Sequence, residues 1–156
     1  MTIAREQYLT NLKKAISGLP QETERIVISK MDDVLDLVRE KQMLEQGINA
    51  DGKALGIYAG FRQKTEIWQN SRGYPKNRGN NYNLLDSGTF YNSMILRKFR
   101  GKYKFIIKSN VPYLKEILDR TNTTEQSLLG MTKESIVNLD KEIIKPDLDK
   151  WLLKTI

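Results

Sequence analysis

The sequence contains neither histidine nor cysteine. That removes the usual general base near neutral pH, the commonest metal ligand and every thiolate site. Chemistry would have to rest on carboxylates, Lys, Tyr or Ser/Thr. Asp32, Asp33 and Asp36 fall on one predicted helix at spacings of three and four, a pattern that sets two carboxylates on one face and can serve a divalent ion. Asp147 and Asp149 are a further carboxylate pair. A solvated helix face accounts for both sets without any metal. Asp86-Ser87 has no histidine with which to build a nucleophilic triad. No G-x-x-x-x-G-K-[ST] or G-x-G-x-x-G phosphate loop occurs, and the G-x-x-x-G of Gly56 and Gly60 has meaning only in membrane helices. The expectation is a protein with no catalytic residue, no cofactor and no metal site, hence not an enzyme.

Basic side chains are the more distinctive resource. Between Lys53 and Lys115 there are thirteen Lys and Arg against two acids, so the middle carries about +11 of a total of +7, and the flanks are mildly acidic. Arg72, Lys76 and Arg78 punctuate an Asn/Gly-rich stretch at 70–83. Six cations follow without an acid between them: Arg97, Lys98, Arg100, Lys102, Lys104 and Lys108. Such a block suits phosphates or an acidic protein surface, and it also suits plain solubility.

The elements that must carry these residues read as follows. Tyr8, Leu12 and Ile16 recur every fourth residue and predict a helix over 3–17, stopped by Gly18-Leu19-Pro20. Val27, Met31, Val34 and Val38 stripe a second helix over 22–46, with Gly47 as its cap. Together they suggest a helical hairpin in 1–47, whose first helix could instead be an arm that docks on a neighbour. Residues 48–83 hold a short strand at 54–59, a turn or two of helix at 61–69, and the long loop. Residues 84–120 hold a short helix over 88–93, strands over 94–99 and 102–109 joined at Arg100-Gly101, and a helix over 111–120. In 121–156 a loop precedes a last helix that starts at Thr132 and is kinked or broken at Pro146.

On the second strand Tyr103, Phe105 and Ile107 face one way; Lys102, Lys104 and Lys108 face the other, with Ile106 among them. The buried placing of the aromatics differs from an RNA-recognition strand, which exposes them. The fold class is α+β: a single domain with an N-terminal helical hairpin and a C-terminal helix packed on a small antiparallel β-sheet. No run reaches the ~18 apolar residues of a membrane span, and the first residues lack a signal-peptide core, so a soluble chain made in the cytoplasm is expected.

Three landmarks carry a family resemblance. Leu85-Asp86-Ser87-Gly88-Thr89-Phe90-Tyr91-Asn92-Ser93-Met94 resembles the L-x-[DT]-[ST]-G-x-[LF]-x-x-S-[IM] signature of neck and tail-completion proteins of tailed phages, among them a lambdoid minor tail component. Asn110-Val111-Pro112-Tyr113-Leu114 is similar to their V-P-Y segment, with Leu114 where Ala is usual. Ser127-Leu128-Leu129-Gly130-Met131-Thr132 resembles the stretch that opens the last helix in the Mu-like virion-morphogenesis branch, with Gln126-Ser127 in place of Arg-Pro. The three occur in the family's order over about half the chain.

The resemblance implies a structural component of the head–tail connector: a homo-oligomer ring, assembled in the host cytoplasm into the virion, that docks portal, adaptor or tail proteins close to packaged DNA. It implies that Asp86, Ser87, Gly88, Phe90, Tyr91, Pro112, Tyr113, Leu129 and Gly130 shape the fold. It leaves Arg72, Lys76, Arg78, Arg97, Arg100, Lys102 and Lys104 as contact residues. Two other functions compete: a basic nucleic-acid-binding module, and a metal-dependent nuclease built on Asp32, Asp33, Asp36 and Asp86.

Overall fold

A computed structural model describes residues 2–56, 84, 88–99, 101 and 104–156, the side chains of Thr2, Ile3 and Ala4 excepted. The expected helix at 61–69, the loop with Arg72, Lys76 and Arg78, and Asp86, Ser87, Arg100 and Lys102 lie outside the described residues, as does the second half of the strand expected at 54–59. The chain is α+β, with helices packed on a two-stranded antiparallel sheet. It divides into two compact units.

Unit 1 joins Met1–Val34 to Val137–Ile156. Helix α1 spans Thr2–Ser29. The stop expected at Gly18-Leu19-Pro20 does not occur: α1 runs through it with Pro20 inside. Proline lacks the N–H that would bond back to the Ile16 carbonyl, a local cost rather than an absolute barrier. Gly18 has a tertiary reason to be glycine, because a Cβ there would sit 3.3 Å from the Trp151 ring. Nor does the chain turn at Lys30, whose N–H bonds Ile26 and whose carbonyl accepts from Val34, both at 3.0 Å. Helix α2, Met31–Asp36, starts there.

The last helix begins as α6, Lys133–Asn138, widens into π-type turns over Leu139–Ile144 (π2), and resumes as α7, Lys145–Thr155. Pro146 therefore sits in the first turn of α7, where its missing N–H is tolerated. α7 packs along α1, and Ala15, Ile26, Val27, Val34 and Ile143 are buried in this unit.

Two carboxylates of unit 1 are held in ion pairs. Glu22, buried on α1, is chelated by the Arg25 guanidinium. Lys30 reaches Asp147 on α7 at 3.0 Å, and Lys150 approaches the same carboxylate at 3.4 Å. The Arg25 hydrogen bond holds the Glu22 carboxyl below the usual carboxylate range, and the Lys30 hydrogen bond does the same for Asp147.

Unit 2 is Leu35–Ile136. It opens with ten residues of π-type helix, Leu37–Gln46 (π1), which put Leu37, Val38, Gln42, Met43 and Leu44 in the interior. Gly47 ends it as expected, in the left-handed conformation (φ 63°), its N–H on the Gln42 and Met43 carbonyls. Residues 48–54 fold back with one bridge, Ile48 to Ala54. Helix α3, Thr89–Asn92, leads into β1, Met94–Lys98, which pairs with β2, Phe105–Ser109.

Then come α4, Leu114–Thr121, and α5, Glu125–Leu129. Helix α5 replaces the end of the expected loop at 121–126: the Thr124 hydroxyl accepts the Ser127 N–H at 3.2 Å and so caps a helix start. One core joins these elements: Leu35, Val38, Met43, Leu44, Leu55, Phe90, Tyr91, Met94, Val111, Leu128 and Leu129.

Both carboxylates are easier to ionise folded than unfolded. Their stabilisation is thus fully present above the ordinary carboxylate range and is lost as pH falls through it, where the unfolded chain binds more protons. We expect the thermal midpoint to drop steeply between neutral pH and about pH 3. The drop should be shallower in Glu22→Gln and in Asp147→Asn, as measured by circular dichroism melts across that range.

Candidate functional site

The β-hairpin is the element most able to meet a partner. Its register pairs Met94 with Ser109, Leu96 with Ile107 and Lys98 with Phe105 on one face; Ile95 with Lys108 and Arg97 with Ile106 share the other. A further bond from the Phe99 N–H to the Lys104 carbonyl, 3.0 Å, carries the ladder toward the turn, where Gly101 takes φ 70°. Leu96 and Ile107 lean on the core. The outer face thus displays Arg97, Lys104 and Lys108 together with Ile95, Phe99 and Ile106.

Lys104 and Lys108 fall on the expected face, opposite Phe105 and Ile107. Arg97 joins them there. Arg97 and Lys104 are exposed, and Lys104 Nζ stands 5.4 Å from the Phe99 ring centroid, a cation–π distance. No ion pair engages Arg97, Lys104 or Lys108 among the described residues. Reading the cations of the second strand alone understated this face. Pairing the two strands on paper would have shown Ile95 and Phe99 among the charges. A cationic surface with an aromatic and two isoleucines in it suits a partner that is both acidic and partly apolar.

The landmark residues do a different job. Gly88 precedes α3 at φ 86°, where an L side chain is strained, and its carbonyl accepts the Asn92 N–H at 2.9 Å. Phe90 and Tyr91 are buried, edge to face, with centroids 6.1 Å apart. The Ser93 hydroxyl donates to the Phe90 carbonyl at 2.6 Å, so its lone pairs are left to receive the Ser109 hydroxyl, also at 2.6 Å. Ser109 in turn accepts the Val111 N–H at 3.4 Å. This relay ties the first landmark to the second. Pro112 and Tyr113 form the exposed turn before α4, with Tyr113 39 % exposed.

The third landmark is the tightest. Leu128 and Leu129 are buried, and Gly130 has no room for a side chain: a Cβ would lie 2.7 Å from the Gln126 carbonyl oxygen and 2.9 Å from the Ala50 Cβ. Its backbone is ordinary (φ −72°), so the requirement is steric, not conformational. Two residues with no signal of their own in the sequence hold this junction. Gln42, buried, donates Nε2 to the Gly130 carbonyl at 2.8 Å, while its Oε1 accepts the Thr132 N–H at 3.0 Å. Asn49 Oδ1 accepts the Asp51 and Lys53 N–H groups, and its Nδ2 donates to Ser127 Oγ at 3.1 Å. The Ala50 N–H meets the Ser127 carbonyl at 2.8 Å.

Among the described residues, the carboxylates singled out for chemistry do not make a metal cradle. Asp32 and Asp33 are exposed, Asp36 faces Arg39 at 3.6 Å, and among the described residues no group of three or more Asp or Glu is placed to hold an ion. Arg39 also donates Nη2 to the Met94 carbonyl at 3.0 Å, fixing the start of β1.

Two substitutions test this account of the landmarks. Gly130→Ala should destabilise unit 2 by about 1–3 kcal/mol through overpacking. Gly88→Ala should cost about 1–2 kcal/mol through its positive φ. Both are read as urea midpoints, with Gly52→Ala as a control for a positive-φ glycine in open space. Compared with known proteins, the chain matches no family model, no curated protein and no solved structure.

Proposed function

We propose that this chain is a structural subunit of a tailed-phage virion. It acts at the head–tail junction as part of a ring of identical subunits between portal or adaptor and tail proteins. It works by assembly rather than by catalysis and takes no cofactor. The observation that carries the reading is the order of the three landmarks together with their common core. Phe90, Tyr91 and Met94 from the first, Val111 from the second, and Leu128 and Leu129 from the third all enter one cluster. Residues that serve one another in this way are expected to persist together in a family whose members share a shape rather than a reaction.

The contact surface is the outer face of the hairpin. Arg97 and Lys104 project from it; Arg100 and Lys102, expected from the sequence at the join and at the start of the second strand, would add to it, and Arg72, Lys76 and Arg78 supply the second set of contacts. A ring subunit needs two different surfaces that meet head to tail and close by rotation. The mixed cationic and apolar face would be one of them, against an acidic surface of its neighbour. Among the described residues no helix is long and apolar enough to cross a membrane.

A second reading rests on the same face. Arg97, Lys104 and Lys108 lie on one side of the sheet with no acid paired to them among the described residues, an arrangement that fits a phosphate backbone.

The reading is tested by deleting the gene from the genome that encodes it. Filled heads and free tails that fail to join are expected, and purified parental particles should contain the chain by mass spectrometry. Infectious particles without the protein would overturn the proposal. The nucleic-acid reading predicts duplex-DNA affinity that falls steeply with salt, with a log–log slope about one unit shallower for each phosphate-contacting cation removed. Arg97→Glu with Lys104→Glu should abolish head–tail joining on the first reading without loss of fold. Unaltered joining by that double variant would remove the hairpin face from the mechanism.

A further inference from the structure

The outer face of the hairpin has a repeat of its own. At each level of the ladder one cation stands across from one apolar side chain: Lys108 from Ile95, Arg97 from Ile106, and Lys104 from Phe99. Levels on one face are two residues apart, about 7 Å along the strand. The cations thus alternate between strands, β2, then β1, then β2. Neighbouring strands lie about 5 Å apart, so the long Arg97 side chain can reach the line that joins the two lysines. None of the three cations is in an ion pair among the described residues. No acid occurs in the sequence from Ser87 to Lys115.

A nucleotide carries the same two kinds of group in the same ratio: one phosphate and one base with a flat apolar face. In a duplex those base faces are stacked on each other, and a surface laid along the backbone meets phosphate and sugar. Ile95, Phe99 and Ile106 would then press on oxygens that need water or a donor, which costs free energy. A single strand leaves its bases free, and such strands are held by cations along the backbone with aromatic rings under the bases. Phe99 is placed for that task. Its side chain is 40 % exposed, and Lys104 Nζ stands 5.4 Å from the ring centroid. The exposed aromatic that an RNA-recognition strand carries is supplied here from the end of the first strand rather than by the second.

We propose that the outer face of the hairpin binds single-stranded nucleic acid in preference to duplex, with Arg97, Lys104 and Lys108 on the phosphates and Phe99 under a base. This rests on the nucleic-acid reading of that face, and it narrows the ligand from any phosphate backbone to an unpaired strand.

The test is fluorescence anisotropy of the full chain with a labelled twelve-nucleotide oligothymidylate and with a labelled duplex of the same length, at low salt. The single strand should bind about tenfold tighter than the duplex. Phe99→Leu should lose about tenfold in single-strand affinity, and Phe99→Trp should retain it, because a stacked base is held by a ring. Arg97→Ala and Lys104→Ala should each make the log–log salt slope shallower by about 0.7. Lys13→Ala, an exposed cation on α1, should change neither. Far-ultraviolet spectra of all variants should match the parent. A duplex bound as tightly as the single strand would overturn the preference and leave the nucleic-acid reading standing. Single-strand affinity indifferent to Phe99→Leu, or weakened equally by Lys13→Ala, would reduce the binding to unlocalised charge and overturn the proposal. No affinity for either oligonucleotide would remove both the proposal and the reading on which it rests. Self-association of the chain, lost in Arg97→Glu with Lys104→Glu, would in that case give the face to a protein neighbour.

Discussion

The approach of Ala50 to Gly130 is the constraint on which the rest of unit 2 depends. A Cβ on Gly130 would lie 2.9 Å from the Ala50 Cβ, so the two segments come together more closely than any residue but glycine permits at 130. That approach lets the Ala50 N–H reach Ser127 and lets Gln42 reach the Gly130 carbonyl. It also sets Leu128 and Leu129 at the depth where they meet Phe90, Tyr91 and Met94. Without it α5 would stand off from the 48–54 turn, and the core would open along the seam that holds it to π1. The hairpin is carried on the same core through Leu96 and Ile107. Its outer face is therefore held by packing that begins at a glycine remote from it in sequence.

Polar groups inside the unit are placed so that few are left without partners, which is what makes such networks specific rather than merely costly. Gln42 uses both ends of its amide, and its oxygen serves an N–H at the start of α6 that the helix itself cannot satisfy. Asn49 closes its own turn. The Ser93–Ser109 relay spends each hydroxyl proton once. Among the described residues Arg39 is the exception, with Nε buried and unbonded while Nη2 holds the Met94 carbonyl.

Local chemistry made some of this legible in the sequence. The period of two over residues 94–109 is visible because one face is buried. Gly47 and Thr132 announce helix ends by means their own neighbours supply. Gly18 misleads for the opposite reason. Its chain neighbours suggest a stop, but what selects glycine is Trp151, at the far end of the chain. The π-type turns of 37–46 and 139–144 leave no periodic trace that separates them from α-helix. Gln42 looks like one more polar residue on an amphipathic helix. Its partners are backbone groups, which no side-chain pattern reveals. The cations of the hairpin were legible as a set. Their apolar companions Ile95 and Phe99 became so only once the strands were paired.

The reach of Gln42 has a consequence for how the chain is made. Its carbonyl partner lies 88 residues further along. At synthesis rates of about 5–20 residues per second, that partner emerges roughly 4–18 s after Gln42 does. Throughout that interval Met43, Leu44 and Leu55 exist without Leu128 and Leu129 to cover them. The nascent chain must wait with half a core exposed, and its closure is governed by the last third of the message rather than the first.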